Sequence, residues 1–162
     1  MNKEGHVLNA ALLGIGLGFV LEPAGTFETL RTIAAVTIPV TLGALFPDVD
    51  TAFGKHRKTL HNLPVLGIFV AFPLFFANLS YVWIGIFTHY VLDYLGSRRG
   101  IALFYPASKT EYGFPSGVTT SSRFANTVTI IVTAVELAIA VAIVHVLPEY
   151  IDIGAITAML PV

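Results

Sequence analysis

The run FANTVTIIVTAVELAIAVAIVHVL, Phe124–Leu147, holds twenty-four residues and a single acid, Glu136. Apolar runs of about 20 residues cross a bilayer as helices, and this is the longest and cleanest in the chain. Four others precede it. They are Val7–Leu21, Leu30–Phe46 (ending at Pro47), Leu63–Phe76 (followed by the polar break Asn78–Ser80) and Tyr81–Leu95. Composition agrees: of 162 residues 55% are hydrophobic and only 12% charged, with mean hydropathy +0.78. A soluble domain is nearer about 45–50% apolar and about 25% charged. The expected fold is therefore all-α, a polytopic membrane bundle of about five transmembrane helices forming one domain over residues 1–162. Glu22-Pro23-Ala24-Gly25 is a poor small-x-small cleavage site, so the first run reads as a retained helix and not a leader. The apolar tail after Pro148 is too short to span and reads as a surface or re-entrant piece.

Charge sets the expected orientation. Cytoplasmic loops carry the excess of Lys and Arg. Five spans put Lys3, Lys55, Arg57, Lys58, Arg98, Arg99, Lys109 and Arg123 on the side of the N-terminus, eight of nine basic residues. Arg31 lies opposite, with Glu22, Glu28, Glu149 and Asp152. The chain is expected in the inner or plasma membrane, N-terminus cytoplasmic and C-terminus outside. A net charge of −1 excludes nucleic acid as a partner held by bulk charge. The absence of cysteine removes disulfides, thiolate zinc sites and cysteine nucleophiles.

The same alternation gathers the ionisable residues. His6 opens the first helix, Asp48 and Asp50 follow the second in Phe46-Pro47-Asp48-Val49-Asp50, and His56 and His61 lie in the next loop. His89 and Asp93 sit in the last two turns of the fourth helix. All belong to the cytoplasmic end. Taken singly, a loop His is usually solvated, and Pro-Asp-x-Asp after a helix is often a capped turn. His89 and Asp93 are harder to dismiss, because ionisable groups in a span cost about 2.5–3.5 kcal/mol and normally face a partner inside the bundle. At i and i+4 they share one helical face; the plain alternative is a His–Asp hydrogen bond that stabilises the bundle. Imidazole and carboxylate together suit zinc, manganese or iron. The set His6, Asp48, Asp50, His56, His61, His89 and Asp93 exceeds one tetrahedral ion, and a pair of ions about 3.5–4 Å apart would use it to stabilise both oxygens of a displacement at phosphorus.

These motifs resemble the YdjM-like family of small membrane-bound, metal-dependent hydrolases, also described as LexA-binding inner-membrane proteins. The residues carrying the resemblance are His6, Leu45-Phe46-Pro47-Asp48-Val49-Asp50, His56-Arg57 with His61, Gly85-Ile86-Phe87-Thr88-His89-Tyr90-Val91-Leu92-Asp93, and Gly100-Ile101-Ala102-Leu103-Phe104-Tyr105-Pro106. The chain departs from the family pattern at Leu60 and Asn62, around His61, and at Gly96-Ser97. More distantly, the order of an early His, an Asp, a loop His and a helical His-x-x-x-Asp is similar to zinc-dependent phospholipase C and P1-type nucleases. That likeness implies Asp93 as the bridging carboxylate, with His6 on one metal and Asp50, His61 and His89 on the other.

The favoured expectation is a hydrolase using one or two divalent ions, zinc first and manganese or iron as alternatives, on a phosphoester of a lipid or lipid-linked substrate. Asp48, Asp93 and Arg57 are the expected catalytic residues. Arg57, Lys58, Arg98 and Arg99 would clamp a phosphate, or serve as topology determinants and headgroup contacts. Two other classes fit the same residues: a metal-bearing protein that docks a cytoplasmic partner, and a divalent-metal transporter, for which only Glu136 lies near mid-span. Membrane lipid is the expected neighbour, and Ala134, Ala138, Ala140 and Ala142 would permit a homo-oligomer. Glu136 lies about 18 Å along its helix and His89 about 9 Å from the same face. Glu136 is therefore expected outside the metal shell, in a structural role, facing the bundle interior and either protonated or hydrogen-bonded to polar groups such as Asn9, Thr37 or Thr41.

Overall fold

The computed structural model describes residues 3–76, 79–96, 99–115 and 122–150, with side chains to 148. Five long helices stand where the five apolar runs were read: α1 (Lys3–Leu21), α2 (Phe27–Leu45), α3 (Leu63–Phe76), α4 (Val82–Leu95) and α5 (Ala125–Val141). A 3-10 helix, Pro47–Ala52, extends α2, and a π turn, Ala142–Val146, extends α5. No strand occurs among the described residues; Ile101 and Tyr112 form one isolated bridge. Among the described residues three helical stretches, Lys3–Leu21, Phe27–Ala52 and Ala125–Val146, are long and apolar enough to cross a membrane. The other two, α3 and α4, have fourteen residues each, about 21 Å at 1.5 Å per residue. Each is shorter than a hydrocarbon core of about 30 Å. Arg98 and the tail from residue 151 lie outside the described residues.

Polar groups take an unusual share of the interior. Among the described residues, twelve polar or charged ones are buried beside thirteen apolar ones, a ratio that a soluble core rarely carries. Large apolar side chains point outward instead, and no residue of α3 is buried. Lipid is the solvent that suits such a surface.

Helix α1 packs along α2, α2 along α4, and α1 along α5. Glycine sets the closest of these approaches. A Cβ on Gly85 of α4 would fall 2.6 Å from the Ala44 backbone nitrogen, and one on Gly43 would strike the Val82 carbonyl. With hydrogen alone at both positions the α2 and α4 backbones touch, and this brings His89 beside the end of α2. The segment after α4 folds back over the same end. Ala102 N–H donates to the Arg57 carbonyl at 3.0 Å, and Leu63 N–H to the Leu103 carbonyl at 2.9 Å. Ile101 and Ala102 are fully buried there.

Candidate metal centre

Four segments deliver ionisable side chains to one end of the bundle: the first turn of α1, the 3-10 helix after α2, the loop before α3, and the last two turns of α4. His6, Asp50, His61, His89 and Asp93 are buried. The opposite rim is open, with the Asp48 side chain 13% and the His56 side chain 40% exposed. The site thus has a closed inner half and an outer edge that solvent reaches.

Hydrogen bonds to the Nδ1 atoms fix the imidazoles. His89 Nδ1 lies 2.6 Å from the Ala44 carbonyl oxygen, which can only accept. His61 Nδ1 lies 3.1 Å from Asp50 Oδ2. Both Nδ1 atoms therefore carry the hydrogen, and both Nε2 atoms present lone pairs. Those two Nε2 atoms face each other at 3.1 Å. Lone pair against lone pair in a buried site is repulsive, so a positive species belongs between them. Burial also pushes the His61 pKa down, against the pull of the Asp93 and Asp50 carboxylates, which favours the neutral, ligating form of its ring.

Carboxylates surround the facing nitrogens. Asp48 Oδ1 is 3.7 Å from His89 Nε2 and 3.9 Å from His61 Nε2. Asp93 Oδ2 is 3.8 Å and 3.7 Å from the same two atoms. Ligands at about 2.0–2.2 Å from a tetrahedral ion stand about 3.3–3.6 Å apart, so each carboxylate oxygen with the two nitrogens makes a triangle of nearly that size. His6 stacks on His89 with ring centroids 3.7 Å apart, and its Nε2 is 3.4 Å from Asp93 Oδ1. Its Nδ1 is buried and has no hydrogen-bond partner among the described residues. Two trios can each hold an ion by ligand-atom proximity: His6 with His89 and Asp93, and Asp48 with His56 and His61. They meet at the His61–His89 contact. The donor set fits one or two divalent cations.

Asp50 stands apart from these trios. Fully buried, it accepts from His61 Nδ1, from His56 Nδ1 at 3.0 Å and from the Leu60 backbone at 3.3 Å. Its oxygens are taken up in orienting rings, a carboxylate–histidine arrangement typical behind a metal ligand. Tyr90, one residue beyond His89, donates its hydroxyl to the Leu60 carbonyl and so pins the loop carrying His61. Sequence reasoning missed Tyr90, for which a phenol amid apolar residues gives no signal.

The basic residues are largely engaged. Arg57 is buried with a positive φ of 66°. Its guanidinium sits 3.6 Å from Asp93 Oδ1 and donates to the Arg99 carbonyl. Lys58 pairs with Glu111 at 2.9 Å. Glu136 is turned inward, as read from the sequence, and bonds Asn9. Its second partner is Thr88, and neither Thr37 nor Thr41 is among its partners. Thr37 Oγ1 is buried against Gly14 and unpartnered among the described residues. The difference is one of helix rotation, which turns Thr88 of α4, and not α2, toward α5.

A family model described as YdjM inner membrane protein matches residues 1–160. No curated protein and no solved structure matches the chain. The match covers nearly all of the sequence, so the chain belongs to the YdjM family of inner membrane proteins.

Proposed function

We propose, for this member of the YdjM family, a membrane-embedded hydrolase that uses one or two divalent metal ions on the phosphoester of a lipid or lipid-linked substrate. The observation that carries the proposal is the pair of Nε2 lone pairs, His61 against His89, 3.1 Å apart and flanked by Asp48 and Asp93. A shared proton would relieve the nitrogens alone; a metal ion also uses the two carboxylates. In this reading His6, His61, His89, Asp48 and Asp93 are the ligands, His56 completes the outer trio, and Asp50 orients His61 and His56. Zinc suits the mix of imidazole and carboxylate, and manganese and iron are the alternatives. When bound, such ions supply an activated water and hold charge on phosphoryl oxygens.

The chain's own residues do the rest. Asp48, at the open rim, is placed to accept a proton from an incoming water. With its guanidinium on Asp93 and on the Arg99 carbonyl, Arg57 acts more through that carboxylate than as a phosphate clamp. A lipid substrate is favoured by an apolar groove of about 320 Å³ between α3, α4 and the returning segment, lined by Leu63, Leu66, Phe87, Tyr94, Ile101 and Leu103. Tyr90 lines the same groove and bonds the loop that carries His61, so an acyl chain there would lie beside that loop.

Metal analysis of the purified protein tests the first half, and a panel of lipid and soluble phosphoesters the second. The expected result is one to two ions per chain and turnover that chelator removes and metal restores, with both lost in Asp93→Asn. Metal-free protein with unaltered melting would overturn the metal site. Bound metal without turnover on any phosphoester would favour the docking role over the enzyme.

A further inference from the structure

Glu136 is the one carboxyl group within α5, and the metal chemistry does not use it. Its surroundings come from three helices. Asn9 Nδ2 lies 2.9 Å from Glu136 Oε2 and 2.9 Å from Thr133 Oγ1. Thr88 Oγ1 lies 2.6 Å from Glu136 Oε1 and 2.6 Å from Asn9 Oδ1. Thr133 spends its own hydrogen on the Thr129 carbonyl at 2.8 Å. No ion pair reaches Glu136 among the described residues.

The hydrogens in this network can be counted. Thr88 has one, yet its oxygen makes close contacts with two others. If it donates to Asn9, then the Thr88–Glu136 contact has no hydrogen unless Glu136 carries it. Turning the Asn9 amide over does not help. Its nitrogen then serves Thr88, and Thr88 serves Glu136 Oε1, but the Asn9 oxygen now faces Glu136 Oε2 with no hydrogen between them. As drawn, the network falls short by one proton, which a protonated Glu136 supplies; the turned amide falls short at Glu136 and again at Thr133, whose hydrogen is already on the Thr129 carbonyl. A polar group left without its hydrogen bond in such a place is destabilising, and a charged one more so.

We propose that Glu136 is a neutral carboxylic acid, an intramembrane proton-binding site whose proton closes the hydrogen-bond network joining α1, α4 and α5. The site is reached from the side. An apolar groove of about 200 Å³, lined by Leu13, Leu17, Trp83, Ile84, Phe87 and Ile139, has Thr88 and Glu136 as its polar lining. An apolar reagent dissolved in the bilayer can enter such a groove, and a charged one cannot.

Dicyclohexylcarbodiimide is that reagent. The acid passes its proton to a carbodiimide nitrogen and its oxygen bonds the central carbon. The acyl group then shifts to nitrogen, leaving a stable N-acylurea with every atom retained. Full-length protein in liposomes at neutral pH, treated and mapped by mass spectrometry, should carry the adduct on Glu136, and a charged water-soluble carbodiimide should leave it unmodified. Infrared spectra of untreated protein should contain a neutral-acid carbonyl band that Glu136→Gln removes. That variant should also keep the wild-type melting temperature, because its amide donates to Thr88 and accepts from Asn9, whereas Glu136→Ala should melt lower. A carboxylate band lost in Glu136→Gln would overturn the proposal, as would an unmodified Glu136 after the apolar reagent. The labelling needs only wild-type protein, so it decides even if the variants fail to fold.

Discussion

Asp50 sits one carboxylate removed from the facing nitrogens. By holding His61 Nδ1 and His56 Nδ1 it decides which nitrogens face the centre. Asp50→Asn keeps the shape but loses the charge that favours those N–H donors. Metal affinity is expected to fall about 10–100-fold, the usual cost of losing an orienting partner, with little change in fold. Competition titration with a chromophoric chelator measures it; unchanged affinity would make Asp50 a bystander. At this scale the sequence was informative about residue types and uninformative about atoms. His6, Asp48, His61, His89 and Asp93 could be brought together from helix ends and loop order alone. That Asp50 takes two Nδ1 hydrogens, and that Arg57 turns inward onto Asp93, depends on local backbone such as the left-handed Arg57, for which the sequence gives no cue.

Among the elements, the α2–α4 contact governs the centre. Gly43 and Gly85 let the backbones meet, and only then does His89 reach the Ala44 carbonyl. Gly85→Ala is expected to destabilise the protein by about 1–3 kcal/mol and to weaken metal binding as well. Gly67→Ala, in exposed α3 where an added Cβ meets nothing, should be neutral or stabilising by about 1 kcal/mol. Melting curves in detergent compare the two; equal effects would remove the contact from the account. The existence of the helices was legible, because long apolar runs broken by polar residues mark them; their first turns were not, since α1 begins at Lys3 and α2 at Phe27, ahead of the runs read from Val7 and Leu30. Rotation about each axis was not. Helices apolar nearly all round carry little directional pattern, so Thr88 could not be recognised as the partner of Glu136 while Thr37 and Thr41 remained equally plausible.

For the whole molecule, polar groups lie within and apolar ones without, and the site occupies one end. The basic residues of the loops predict that this end faces the cytoplasm. Membrane-impermeant amine labelling of Lys55 and Lys58 in intact cells should therefore fail and succeed after permeabilisation. Labelling from outside would place the chemistry on the opposite face and reverse the orientation.

His6 and Asp93 touch in the folded bundle, yet eighty-seven positions separate them in the chain. For a polypeptide made from one end, this separation is also an interval of time. The first helix leaves the ribosome with its histidine facing nothing, and must wait while three more helices are made. Nascent chains arrested before position 93 would therefore hold an incomplete pocket, and any ion would be acquired only after α4 has been delivered.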